Sequence, residues 1–465
     1  MTTLGYILLP VGLVTFLFSR KWLYRLFVFS TLFSATSAIN FGEGQNASGL
    51  QVWMFFGFLW ILRLTFDSLS GLSLTIDRRF LGPSLWLLAF VAVACVSLAM
   101  PLYIDGALLI TAPILGDNSE TPLVLTSHNI SQVLYLLFGG IIAICVAHAN
   151  LAEDSKDETE RIILISAIFV SLWGLFQFFC NVTGFPYPDS LFNNSASESA
   201  KGFLQTFNQG MKRVSSTAVE PSMLAQSLIT LLPLTIPAWF KRGHVITGFV
   251  DRCASVLFVV VLLLSTSSTA YLGIFLFSFL LLVVLLRTRT ISMSKATLFT
   301  VVTVCSIAII AALAIALLPL ARDVLTSVLV DKSSSGSALE RAMTITLAFG
   351  YFQKYPLLGI GWGSATSHDL IVKLLSNVGV IGALAFLAAM WSVIRSNWKR
   401  LSPLRDAASM SRAVWFLSLS VFLGTSLIIE FPLVFGNFWL VLGMAISSGA
   451  TVRAIRVSQD SVQAA

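Results

Sequence analysis

Of 465 residues, 56% are apolar and only 11% are charged, far from the roughly one quarter charged that a soluble globular chain carries; an ordinary soluble domain is excluded. The net charge of +7 does not point to nucleic acid, because the basic residues stand in short clusters beside helix ends and not in one patch with interleaved aromatics. The five cysteines, Cys95, Cys145, Cys180, Cys253 and Cys305, are isolated in or beside apolar runs and offer neither a disulfide framework nor a metal spacing.

Apolar runs of the roughly 17–25 residues that cross a bilayer recur along the chain, and each must be helical because lipid cannot satisfy a bare backbone amide. The first, Leu4 to Phe18, starts almost at Met1 without a basic region before it, so it reads as a retained span and not as a cleaved signal. Spans are predicted over residues 4–18, 23–39, 50–69, 83–100, 130–149, 162–182, 222–240, 253–266, 269–286, 296–319, 371–394, 413–431 and 436–453. That makes 13, or 12 if the first segment does not cross. Without an internal repeat or a Pro/Gly/Ser-rich linker, residues 1–465 read as one all-α, polytopic membrane domain.

Of the 29 lysines and arginines, 21 fall in alternate connections and the carboxyl-terminal tail, which are therefore placed on the cytoplasmic side. The other eight lie in or at the edges of two connections on the opposite side, 183–221 and 320–370. The acidic run Glu153, Asp154, Asp157, Glu158 and Glu160 reads as a solvated cytoplasmic turn. The spans carry almost no ionisable residue in their middles; His148, Arg63 and Asp67 sit near helix ends, where snorkelling accounts for them. An ion-coupled pathway, and with it a transporter or flippase, is disfavoured.

The two outer connections exceed the roughly 12–15 residues beyond which a structureless loop usually has a function. The first ends in Lys212-Arg213 and then Glu220-Pro221-Ser222 before a span. Pro221 suits the first helical position, which places Glu220 at the cap, beside a helix amino terminus that favours anions. Glu220 is then either a plain acidic cap or, with Lys212 and Arg213, part of a diphosphate site. The second carries Lys332, Glu340, Arg341 and Lys354, then Gly359, Gly361, Trp362 and Gly363, then His368-Asp369. Its glycines permit tight turns and close backbone approach, but no strand precedes them to make a dinucleotide fingerprint. His368 is either a surface bystander or an acid or base working near neutral pH. Glu220, His368 and Asp369 form no recognisable metal-ligand set, so no metal and no cofactor is expected.

These motifs resemble the O-antigen polymerase and ligase family of Wzy-type polysaccharide polymerases. The resemblance rests on Arg213 and Ser216 with Glu220-Pro221-Ser222-Met223-Leu224-Ala225, on Pro356-Leu357-Leu358-Gly359-Ile360-Gly361-Trp362-Gly363-Ser364, and on Ser367-His368-Asp369-Leu370 with Gly379 and Gly382. It covers roughly residues 205–395. One departure stands out: family ligases commonly carry a serine-arginine pair near position 269, where this chain reads Ser265-Thr266-Ser267-Ser268-Thr269-Ala270-Tyr271, which counts against a lipid A ligase and leaves Arg341 to supply the second cation.

The resemblance implies a GT-C-like membrane glycosyltransferase in a bacterial inner membrane, with its site facing the periplasm. It implies transfer of glycan from undecaprenyl diphosphate to the acceptor sugar of another lipid-linked repeat, with inversion and without metal. Arg213 and Arg341 would bind the diphosphate, and His368 or Glu220, with His368 preferred, would be the base. Lys212, Lys354 and Trp362 would contact substrate. Implied partners are the undecaprenyl-diphosphate-linked oligosaccharide, membrane lipids, and a chain-length regulator and flippase of the same pathway. A ligase acting on lipid A core or a protein hydroxyl is the alternative within the family.

Overall fold

A computed structural model describes residues 2–41, 48–69, 81–111, 120–196, 207–208, 211–290, 336–429 and 433–450. Among them are 13 helices of ten or more residues: α1 (Gly5–Phe18), α2 (Arg20–Ser30), α3 (Val52–Leu69), α4 (Leu81–Ser97), α5 (Ser127–Ala149), α6 (Glu153–Thr183), α7 (Pro221–Leu231), α8 (Gly248–Leu264), α9 (Ser268–Arg287), α10 (Gly336–Lys354), α11 (Leu370–Lys399), α12 (Ala407–Thr425) and α13 (Gly436–Gly449). Seven helical stretches are long and apolar enough to cross a bilayer: Gly82–Ile104, Ser127–Ala149, Glu153–Thr183, Pro221–Trp239, Ser268–Arg287, Leu370–Lys399 and Ala407–Thr425. The chain is a mainly helical, multi-pass membrane protein. Three short antiparallel hairpins pair Ser37–Phe41 with Ser48–Gln51, Leu109–Thr111 with Glu120–Pro122, and Phe207–Asn208 with Met211–Lys212. The predicted span 296–319, together with Cys305 and Lys332, lies outside the described residues.

The predicted span 23–39 is not one helix. α2 stops at Ser30, and Ser37–Phe41 is already a strand. The cause is a run of hydroxyl side chains that compete for backbone groups: Ser30 Oγ donates to Phe27 O, Thr31 Oγ1 to Val28 O, and Thr36 Oγ1 to Phe192 O. The acidic run from Glu153 to Glu160 is not a turn either. It forms the first two turns of α6, and Glu160 Oε1 accepts from Trp415 Nε1 at 2.8 Å and Ser411 Oγ at 3.2 Å. Nor is 320–370 a plain loop, since residues 336–354 make α10; Ala, Leu, Glu, Arg and Met there are strong helix formers.

The core is built on large aromatic side chains from several helices, including Trp53, Trp415, Trp439, Phe90, Phe386 and Phe422, each under 2% exposed. Small residues admit them. A Cβ on Gly139 of α5 would fall 2.0 Å from the Trp439 ring of α13, a close helix approach of the kind that holds bundles together in lipid, where burial of apolar surface between helices supplies little.

α11 is broken. At Gly379 its backbone leaves helical geometry (φ 63°, ψ −168°), a region only glycine occupies readily. The freed groups are taken up by the segment that precedes α11, which folds back against it. Ile360 N donates to Ser376 O and Gly361 N to Asn377 O, while Val380 N donates to Pro356 O and Ile381 N to Leu357 O. Asn377 completes the seam: its Oδ1 accepts from Ser364 N and Ala365 N, and its Nδ2 donates to Ala365 O. Such replacement bonds are what permit irregular backbone inside a membrane bundle. They also fix the chain that runs from Ser364 to His368.

Candidate functional site

Residues 214–219, between Arg213 and α7, are buried, and a buried loop needs partners for its backbone. They come from three sides. Gln177 Oε1 of α6 accepts from Ser215 N (2.9 Å) and Ser216 N (2.7 Å), Asn193 Nδ2 donates to Ser216 O (3.0 Å), and Ala35 N donates to Thr217 O (3.0 Å). The segment is therefore a rigid mount, with Arg213 at one end and Glu220 at the other.

Arg213 reaches to the turn between α8 and α9. Its Nε donates to Thr266 Oγ1 (3.1 Å) and Ser265 O (3.3 Å), and its Nη2 to Thr266 O (3.2 Å). The hydroxyl-rich turn between α8 and α9 is thus where the Arg213 side chain docks. Burial pulls the Arg213 guanidinium below its ordinary pKa, Glu220 opposes that, and Arg341 adds to it, with Tyr271 a smaller neighbour. Glu220, Arg341 and Tyr271 therefore lie in the field of Arg213, the four residues being drawn from three separate chain segments.

Glu220 occupies the N-cap position of α7 with extended backbone (φ −130°, ψ 154°) and Pro221 follows at the first turn, as the sequence predicts. Its side chain makes no cap bond to the helix; Oε2 instead accepts from Ser222 Oγ at 2.6 Å. The carboxylate is held at the helix mouth by a side-chain hydroxyl and not by a cap bond.

His368 lies beside α10. Its Nδ1 is 3.0 Å from Thr344 Oγ1, which also donates to Arg341 O one turn earlier at 2.9 Å. The imidazole is thus carried next to the helix turn that bears Arg341. Asp369 is committed elsewhere: it caps α11, with Oδ1 accepting from Val372 N at 2.8 Å. Behind these groups Leu370 N donates to Ser426 O at 3.2 Å, and Gln226 Nε2 of α7 donates to Ser426 Oγ at 2.9 Å. The starts of α7 and α11 are joined through the end of α12.

Three other candidates stand apart from this group. Lys212 turns to Asp189, Nζ to Oδ2 3.8 Å. Lys354 is at the far end of α10 from Arg341, about 20 Å away at 1.5 Å per residue. Trp362 is 4% exposed, edge to face with Phe90, its backbone N accepting no role in the site but donating to Ser97 Oγ; it is a core residue. Among the described residues, no three His, Cys, Asp or Glu side chains form a metal-binding group. Sequence reasoning missed Thr266, Tyr271 and Thr344. For the first two a signal existed in the run of hydroxyls between two spans; Thr344 looks like any helical threonine. No protein-family model matches the chain, and no curated protein is significantly similar to it.

Proposed function

We propose that the chain is a membrane glycosyltransferase, a polysaccharide polymerase, that transfers glycan from undecaprenyl diphosphate to the sugar of another lipid-linked repeat. The observation that carries this reading is that a second guanidinium, Arg341, and a carboxylate, Glu220, both lie in the field of Arg213. Like charges brought together in a partly buried place repel, and the arrangement is favourable once an anion of matching charge arrives. A diphosphate fits, because each guanidinium presents a planar fork to phosphate oxygens.

In the reaction the acceptor hydroxyl attacks the anomeric carbon. The bond from that carbon to the phosphate oxygen breaks, and its electron pair stays on the diphosphate, where Arg213 and Arg341 stabilise the charge as it develops. The hydroxyl proton passes to His368. Glu220, held at a helix amino terminus, is a weaker base and orients Arg213 or the acceptor. A single displacement inverts the anomeric centre. The reading places the site on the side opposite the lysine- and arginine-rich helix ends, the periplasmic face of a bacterial inner membrane.

Purified protein given a single-repeat glycan on undecaprenyl diphosphate, with no ATP, ion gradient or added metal, is expected to lengthen it. Arg213→Ala and Arg341→Ala should each slow this by about a hundredfold or more. Unchanged product from both variants and from His368→Ala would overturn the assignment. Loss-of-function cells that accumulate single-repeat glycan mark a polymerase; long carrier-linked chains would instead mark a ligase.

A further inference from the structure

The first turns of α2 and α6 enclose a cleft of about 610 Å³. It lies at the end of the bundle opposite Arg213: Asn181, in the last turn of α6, donates to Lys212 O, whereas Asp157, which lines the cleft, is 24 residues earlier on the same helix, about 36 Å away along the axis. The two helices enter side by side and in the same direction, and their side chains grade from charged to apolar along the cleft. Lys21, Asp154, Asp157 and Arg161 stand at the mouth; Leu26, Phe29, Ile162 and Ile165 form the floor. Trp22 sits at the mouth, 56% exposed, as tryptophan does at the level of lipid headgroups.

The charges at the mouth do not all answer one another. Glu158 takes both Lys21 (3.1 Å) and Arg25 (2.5 Å), and the Arg25 guanidinium also covers the Trp22 ring, 4.6 Å from its centre. That trio keeps one positive charge in excess. Arg161, Asp154 and Asp157, along one face of α6, make no ion pair within 4.0 Å among the described residues, although Lys156 lies in the field of Asp157. A complementary occupant therefore carries an anion for Arg161 and the Arg25 region, a cation with N–H donors for Asp154 and Asp157, and hydrocarbon to lie on the floor.

We infer that this cleft binds the headgroup of an aminophospholipid, with the phosphate at Arg161 and Arg25, the primary ammonium at Asp154 and Asp157, and an acyl chain along Phe29, Ile162 and Ile165. A net-anionic headgroup leaves the two aspartates facing it without a partner. A quaternary ammonium has no proton to give them.

Delipidated full-length protein in detergent, offered phosphatidylethanolamine, phosphatidylglycerol and phosphatidylcholine in equal amounts, tests this by native mass spectrometry. Phosphatidylethanolamine is expected to be retained about tenfold over the others. The double variant Asp154→Asn, Asp157→Asn should lose that preference while still binding phospholipid, and Arg161→Ala should weaken all three. Ile165→Trp, which fills the floor without removing a charge, should displace every phospholipid and so covers the case of a charge variant that does not fold. Equal retention of the three lipids by the unaltered protein, or a preference untouched by the aspartate substitutions, overturns the site.

Discussion

Thr344 has one proton to give. Given to Arg341 O, as is common for threonine in a helix, that proton leaves the hydroxyl to accept from His368 Nδ1 at 3.0 Å, and we predict the Nδ1–H tautomer for the neutral imidazole. Thr344→Val removes the acceptor with little change in shape and should release the tautomer, whereas Thr344→Ser should keep it. Nitrogen chemical shifts of the four histidines in labelled protein read this directly; an Nδ1–H His368 in the valine variant sinks the assignment. None of this was legible in the sequence, because Thr344 and His368 are 24 positions apart and a threonine inside an apolar helix carries no sign of its partner. The Glu220-Pro221 cap was legible, since helix starts are written in adjacent residues. What the carboxylate does there was not: Ser222, two residues on, takes it from the backbone.

At the scale of elements, the glycines of the 356–364 motif and Gly379 share one function, which is to let the broken helix and the folded-back segment touch. A Cβ on Gly379 would lie 2.1 Å from Leu357 O, and one on Gly359 would lie 2.5 Å from Ser376 O. Gly379→Ala should cost about 3 kcal/mol or more and open residues 355–366 to protease, while Gly350→Ala, in the middle of α10 with nothing within 4 Å, should be neutral or stabilising by about 0.5–1 kcal/mol. Thermal midpoints of the two variants check this; equal midpoints refute it. Close backbone approach was readable from glycine spacing alone. Its target, the break in α11, was not, because Ser376, Asn377 and Gly379 in an otherwise apolar run do not say which distant segment folds back against them. The same blindness extended α2 through a hydroxyl-rich stretch to residue 39 and left α10 as loop.

The cap of α12 is simpler. Asp406 Oδ1 accepts from Ser409 N at 2.6 Å, and that bond, with help from the Ser409 hydroxyl, holds the carboxyl below its ordinary pKa. A depressed carboxyl pKa means stability that is present above the unfolded value of about 3.9 and fades as pH falls through the folded value. Asp406→Ala should cost about 1 kcal/mol at neutral pH, and the gap to the unaltered protein should narrow below about pH 3.9. A gap that stays constant into acid, followed by thermal unfolding across pH, would show that the charge contributes nothing.

For the whole molecule, the distribution of lysine and arginine predicts which end of the bundle faces the cytoplasm. In a cysteine-free background, Thr366→Cys should react in intact cells with a maleimide that does not cross membranes, and Ala152→Cys only after permeabilisation. The reverse pattern would turn the protein over and place the Arg213 group in the cytosol. That the chain lives in lipid followed from composition before any coordinates. Which of its apolar runs make long helices depended on hydroxyls and on contacts between distant segments.

Ser426 has one further consequence. Its carbonyl holds the first residue of α11 and its hydroxyl is held by Gln226 of α7, so it works as a tie rod between the elements that carry the imidazole and the carboxylate. A tilt of α12 would carry both anchor points along together, and the spacing between imidazole and carboxylate would be kept while the surroundings changed shape.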